Sequence, residues 1–213
     1  MNGVKFGDKH SITDWDLIMT SKDMGTAEPR VNEVEIPGRD GTLEINDPSG
    51  ETKYNNRTIS FTFDTFEPPS KWWELDRKIS NYLHGKKLKV TIDQDKNYYY
   101  MAKLKKEPFS NDKNVGHFSI SGTAEPYKYK QDITEITYTV EADNTYTFEN
   151  EKKSVIPILE LSDAMTLEFE GNSYSLNAGT QKVLDIKFKE GINEIKVITG
   201  SGTLKATYQE ASL

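Results

Sequence analysis

The chain of 213 residues and 24.3 kDa is long enough for one large β domain or two ordinary ones, each burying an apolar core without covalent staples. It contains no cysteine, which excludes a disulfide scaffold, thiolate metal sites and a cysteine nucleophile. Residues 1–130 carry 20 Lys and Arg against 20 Asp and Glu, and residues 131–213 carry 7 against 14, the whole formal charge of −7, so the basic excess of a nucleic-acid footprint is missing and two domains are expected.

The N-terminus, MNGVKFGDKHSITDW, lacks the charged and apolar regions of a signal peptide, and no stretch approaches the roughly 20 apolar residues of a membrane span. A soluble protein assembled in a cytoplasm, with no membrane partner, is expected. Period-2 alternation then dominates residues 1–130. Val34 and Ile36 alternate with Glu33 and Glu35, and Ile59, Phe61 and Phe63 with Thr58, Ser60 and Thr62. Val90 and Ile92, then Tyr100, Ala102 and Leu104, then Phe118 and Ile120 continue the pattern of half-buried strands. One segment, PPSKWWELDRKISNYLHGKK, breaks it. Trp72, Leu75, Ile79, Tyr82 and Leu83 fall on one helical face, with Ser70 as the expected N-cap and Gly85 as the stop. Asp47–Gly50 and Ser110–Asn114 read as loops or hairpin tips.

From Ile133 the alternation restarts in shorter runs centred on Ile136–Val140, Tyr146–Phe148, Ile156–Ile158, Leu167–Phe169, Tyr174–Leu176, Leu184–Phe188, Ile195–Val197 and Leu204–Tyr208. Turn signals stand between them at Gly171-Asn172, Ala178-Gly179, Glu190-Gly191 and Gly200–Gly202. Closely spaced short strands predict a compact antiparallel sandwich. The fold class is therefore all-β with one helix, in two domains: 1–130 and 131–213. Their join is expected near Glu125-Pro126, where Pro interrupts a strand.

Candidate chemistry is sparse. His10, His84 and His117 stand far apart and in no metal-ligand spacing, and GxSxG is missing. Asp93–Asn97 imitates the opening of a calcium loop, but Tyr98 stands where that loop needs Gly and Leu104 where it needs Glu. The carboxylate pairs Asp14/Asp16 and Glu168/Glu170 read as solvated surface. Lys86, Lys87, Lys89, Lys103, Lys105 and Lys106 beside Tyr98–Tyr100 could line a single-strand groove, against which the neutral balance of this half argues. Asn56-Arg57-Thr58 is a chance glycosylation triplet. No catalytic residue, cofactor, metal or sequence-specific nucleic-acid partner is expected.

Glu35–Leu43 reads physically as a hairpin: Pro37 ends one strand and Asp40-Gly41 supplies positive-φ residues before Leu43 and Ile45 continue. The segment Ile36-Pro37-Gly38-Arg39-Asp40-Gly41 also resembles a signature of the distal tail protein family of long-tailed phages infecting Gram-positive bacteria. Trp73–Ile79 through Leu83 and Gly85 resembles that family's helix, Leu88–Asp93 the following strand, and Tyr99-Tyr100 the start of the next. Pro126-Tyr127-Lys128-Tyr129 resembles its exit from the N-terminal domain. The C-terminal part is similar more loosely, through Pro157, Asp185, Gly191, Asn193 and Ile195. The resemblance implies a β-sandwich or split-barrel-like domain that builds a homo-hexameric ring, and a C-terminal galectin-like or carbohydrate-module-like sandwich projecting outward. It further implies a non-enzymatic hub at the virion tail tip. Its partners would be the tail tube protein, the tail-tip or tail-associated lysin protein and, in some phages, receptor-binding proteins. A carbohydrate-binding sandwich with weak saccharide affinity is the alternative; it calls for a planar aromatic set on one face of the C-terminal domain.

Overall fold

The computed structural model describes residues 2–31, 33–44 and 51–213; Ile45 and the loop expected at Asp47–Gly50 lie outside the described residues. The chain divides into two compact units, Met1–Lys128 and Tyr129–Leu213, and is built mainly of strands with one substantial helix.

The first unit runs β1 (Val4–Phe6), β2 (Lys9–His10), α1 (Ser11–Trp15), β3 (Ile18–Asp23), β4 (Glu33–Glu35), β5 (Thr42–Glu44), β6 (Arg57–Thr65), α2 (Pro69–Leu83), β7 (Lys87–Ile92), β8 (Tyr98–Lys106), β9 (Ser110–Asp112) and β10 (Val115–Lys130). Its sheet has the order β2-β1-β7-β8-β10-β6-β3, with β9 added against β10. Alternate residues of β6, β8 and β10 turn inward, as the period-2 pattern requires. Ile59, Phe61, Phe63, Ala102, Leu104, Phe118 and Ile120 meet Ile79 and Leu83 of α2 in one apolar core.

Helix α2 begins one residue before the expected cap. Pro68 occupies the N-cap position in an extended conformation, no side chain caps the helix, and Pro69 supplies the pre-set φ of a first helical residue, so Ser70 lies inside. At the other end His84 leaves the helix at ψ 123 and Gly85 follows with φ +77. The expected break at Pro126 is also corrected: β10 runs through it to Lys130. Its register with β6 ends at Ala124, so the missing Pro126 N–H removes nothing from that ladder.

The second unit runs β11 (Thr134–Val140), β12 (Thr145–Asn150), β13 (Ile158–Leu161), β14 (Met165–Phe169), β15 (Asn172–Leu176), β16 (Gly179–Gln181), β17 (Gly191–Thr199), β18 (Gly202–Tyr208) and β19 (Ala211–Ser212). Two four-stranded antiparallel sheets, β11-β18-β13-β16 and β12-β17-β14-β15, enclose a core that includes Phe148, Leu159, Leu161, Leu167, Phe188, Ile195, Val197 and Leu204.

Three sequence expectations shift here. Leu184–Phe188 is no strand: Ile186 N–H turns back onto Val183 O at 3.3 Å, and only Phe188 pairs, through reciprocal bonds with Val155 of 2.8 and 3.0 Å. In β13 the buried residues are Leu159 and Leu161 while Ile158 faces out, one residue off the expected phase, which exchanges the two faces. Gly179, expected in a turn, opens the short strand β16.

Candidate functional site

Between β3 and β6 the described chain leaves the sheet and forms an arm. Its base is closed by hydrogen bonds from Arg30 N–H to Lys53 O at 2.7 Å and from Asn55 N–H to Glu28 O at 2.8 Å, flanking a Pro29–Tyr54 bridge. Beyond the base, among the described residues, β4 and β5 pair only with each other, in the register Glu33–Glu44, Val34–Leu43 and Glu35–Thr42. The hairpin reversal is the segment Ile36–Gly41, closed by Arg39 N–H donating to Ile36 O at 3.1 Å. Gly38 and Gly41, at φ +85 and +79, supply the left-handed residues, rather than Asp40 with Gly41 as expected; no neighbour crowds either glycine, so backbone angle alone explains them. The expectation that Val34 and Ile36 are half-buried on the core is overturned: they are 44% and 40% exposed, with Val31 nearby in sequence at 53%. A two-stranded hairpin is marginal on its own.

The remaining motif residues do not converge on this arm. Leu83 is core, and Gly85 N–H donates to Leu104 O at 2.8 Å, tying the end of α2 to β8. Tyr99 and Tyr100 are buried in β8 under cations, Lys89 over Tyr99 at 4.3 Å and Arg57 over Tyr100 at 5.5 Å. Burial, and after it the Glu125 carboxylate, raises the Tyr99 phenol above its ordinary value. Tyr127 meets Tyr54 edge to face at 5.8 Å, beside the bridge at the base of the arm, and Pro126 lies within β10. Tyr129 lies in the second unit, its hydroxyl accepting from Lys153 Nζ at 2.7 Å. There too, Gly191 opens β17, and Asn193 is buried and bonded to backbone on every side. These are positions of fold rather than of one site.

Groups that could have carried chemistry have structural partners. His10 Nε2 lies 3.3 Å from Asp93 and its Nδ1 accepts from Ile12 N–H at 3.2 Å, capping α1; His117 Nδ1 lies 2.7 Å from Asp64; His84 Nδ1 accepts from Lys106 N–H at 3.3 Å. Asp14 and Asp16 sit on α1 and its left-handed cap, not on a strand, and Glu170 belongs to the turn after β14, where it pairs with Lys189 at 2.6 Å. Hydrogen bonds from His10 N–H and Lys9 hold the Asp14 carboxyl below its ordinary value. The lysine set is not a free cationic stripe: Lys87 pairs with Glu125, Lys105 with Glu107, and Lys106 is buried against Asp76. Among the described residues no group of three or more His, Cys, Asp or Glu could hold a metal ion, and no helix is long and apolar enough to cross a membrane.

In the second unit Phe148, Phe169, Phe188 and Tyr208 are buried, and Tyr138, Tyr146 and Tyr174 pack against the same core. The aromatic face that the saccharide alternative calls for is thus absorbed by the sandwich. Sequence reasoning missed a groove of about 730 Å³ along α2 and the end of β8, and the exposed Trp73 beside it. The signal was present: Trp73 stands one residue, about 100° of helix, from the buried Trp72.

Neither a protein-family model nor a curated protein matches the chain. Among solved structures, the crystal structure of the SPP1 Dit (gp 19.1) protein, described as a paradigm of the hub adsorption apparatus in Gram-positive infecting phages, is similar over 98% of this chain and 99% of that one, with a TM-score of 0.70 at 14% identity. At that identity the likeness shows a shared fold.

Proposed function

We propose that the chain is a structural hub of a phage tail, in which residues 1–130 build a homo-hexameric ring and residues 131–213 form an outward-facing galectin-like domain. The ring joins the tail tube protein above to the tail-tip or tail-associated lysin protein below, and offers sites for receptor-binding proteins. It acts by geometry: heterologous contacts that close on themselves create a fixed opening and a repeated set of docking surfaces, and no catalytic residue is needed. The observation that carries the reading is the end-to-end likeness to the SPP1 Dit hub protein, spanning 98% of this chain. The β4–β5 arm, bearing the Ile36–Gly41 segment and the exposed Val34 and Ile36, supports it as an element suited to reaching a neighbouring copy.

Native mass spectrometry with negative-stain imaging across a concentration series tests the proposal. The expected species is a closed ring of about 146 kDa, six copies of the 24.3 kDa chain, with a central hole. A monomer at every concentration, also on co-expression with tail-tube and tail-tip proteins, overturns it.

A further inference from the structure

The helix α2 carries a large aromatic side chain where a solvated helix normally carries a polar one. Trp73 is 68% exposed, whereas Trp72, the next residue, and Trp15 are only 4% and 6% exposed. Its ring is not isolated: Phe109 lies 5.8 Å from it, tilted by 59°, and Phe109 in turn lies 4.9 Å from Phe118 in the core, so ring contacts link Trp73 to the core. Residues three and four apart share a helix face, and the stripe Trp73, Asp76, Ser80, His84 therefore runs along one side of α2. Asp76, Ser80, Asn81 and His84 form one wall of the 730 Å³ groove, and Lys105, Glu107, Pro108 and Phe109 form the other.

The chemistry of this groove is mixed in a particular way. Lys106 lies buried at the bottom, paired with Asp76 and set over the Phe118 ring at 5.1 Å, so the floor is rigid and internally neutral. Glu107 accepts from Lys105 at 2.9 Å and from Ser121 Oγ at 2.5 Å, which orients its carboxylate. With its Nδ1 accepting from Lys106 N–H, the His84 ring carries its proton on Nε2, which faces the groove's ligands as a donor. Balanced charges argue against a polyanion, and the polar lining argues against a purely apolar ligand. Neutral sugars combine what such a groove offers: an apolar C–H face for an aromatic platform, and hydroxyls that both donate and accept. A volume of 730 Å³ also lies within the range of small-ligand sites.

We infer that this groove is a binding site for a neutral pyranose oligosaccharide, stacked on Trp73 and hydrogen-bonded by Ser80, Asn81, His84 and Glu107. The site lies in the first unit, and does not depend on the hub reading.

The test uses the full-length protein in its native assembly state. Hexamers of N-acetylglucosamine, β-glucose, α-glucose and galactose are titrated to millimolar concentration while tryptophan fluorescence is followed, Trp73 being the exposed tryptophan of the three. At least one hexasaccharide is expected to shift and saturate the emission. Trp73→Ala and, independently, Asn81→Ala, both at exposed positions that leave the fold intact, are expected to weaken that binding at least tenfold by calorimetry while the oligomeric state is unchanged. The inference is overturned if none of the four sugars binds, or if one binds with equal affinity to both variants. Loss of assembly in Trp73→Ala, with sugar binding retained by Asn81→Ala, likewise overturns it, since Trp73 is then an interface residue.

Discussion

Asn193 shows how one polar side chain can close a β-sandwich. Its Nδ2 donates to Phe148 O at 3.3 Å, Lys189 O at 2.9 Å and Gly191 O at 3.1 Å, while its Oδ1 accepts from Lys189 N–H at 2.7 Å. Asn150 opposes Gly191 on the neighbouring strand and donates to Lys153 O at 3.0 Å and to the carbonyls of Phe188 and Lys189 at 3.3 Å. Together they satisfy backbone groups of Phe188, Lys189 and Gly191 in the irregular link that leads into β17. Asn193→Ala leaves several buried backbone groups unpaired, and a loss of about 2–3 kcal/mol is expected from urea denaturation. Tyr208 makes a different prediction. Burial, and then the Glu210 carboxylate, pushes its phenol up to about 12, and its hydroxyl donates to Glu149 O. A folded value above the unfolded one of about 10 means a contribution fully present below pH 10 and lost as pH rises toward 12, at most about 3 kcal/mol. Tyr208→Phe is expected to cost about 1 kcal/mol at neutral pH and to flatten the alkaline decline of the second unit's denaturation midpoint. Tyr99 shifts in the same direction in the first unit, so the difference between variant and parent is the quantity to read.

At the scale of elements, periodicity identified what it physically reports, an amphipathic segment, and was silent on what covers the apolar side. Ile59, Phe61 and Phe63 obey the same alternation as Val34 and Ile36, yet the first three are core and the last two face out on the arm. The difference lies in partners distant in sequence: β6 sits between β3 and β10, while β4 has β5 alone. Turn chemistry was legible to within a residue. The β14–β15 reversal is Glu170-Gly171, not Gly171-Asn172, because the register pairs Phe169 with Asn172 and leaves two residues between. Both have positive φ, +49 and +78, the type I′ pattern that matches the twist of the strands. Glycine is at ease there and glutamate is not. Glu170→Asn, which creates the favoured Asn-Gly pair, is expected to raise stability by about 0.5 kcal/mol in chemical denaturation. Losing the pair with Lys189, both sides of which are solvated, costs less than that. The site was less legible than the strands. Trp73 and the groove depend on how α2 lies against β8, which no local pattern encodes.

For the whole molecule, the two cores share no residue, one drawing on positions up to Ala124 and the other on positions from Ile136 onward. Each unit thus meets the requirement for independent folding, its own buried apolar cluster. The arm, by contrast, is an appendage of the first unit whose exposed Val34 and Ile36 contribute little to that core. Stability and assembly are therefore separable in experiment. Val34→Lys with Ile36→Lys in the full-length chain is expected to move the unfolding free energy by no more than about 0.5 kcal/mol, the range of surface substitutions. If the arm joins neighbouring copies, the same pair of changes desolvates or repels charge at every contact of the ring. Because each subunit of a closed ring uses that contact, the defect is repeated around it. The expected outcome is a folded monomer where the parent forms a ring, read by native mass spectrometry at equal concentration. A fragment of residues 1–130, keeping the arm and its core, is expected to form the ring without residues 131–213. A lysine variant that still closes the ring assigns the contact to another surface of the first unit, and a folded fragment that fails to assemble moves part of the interface into the second.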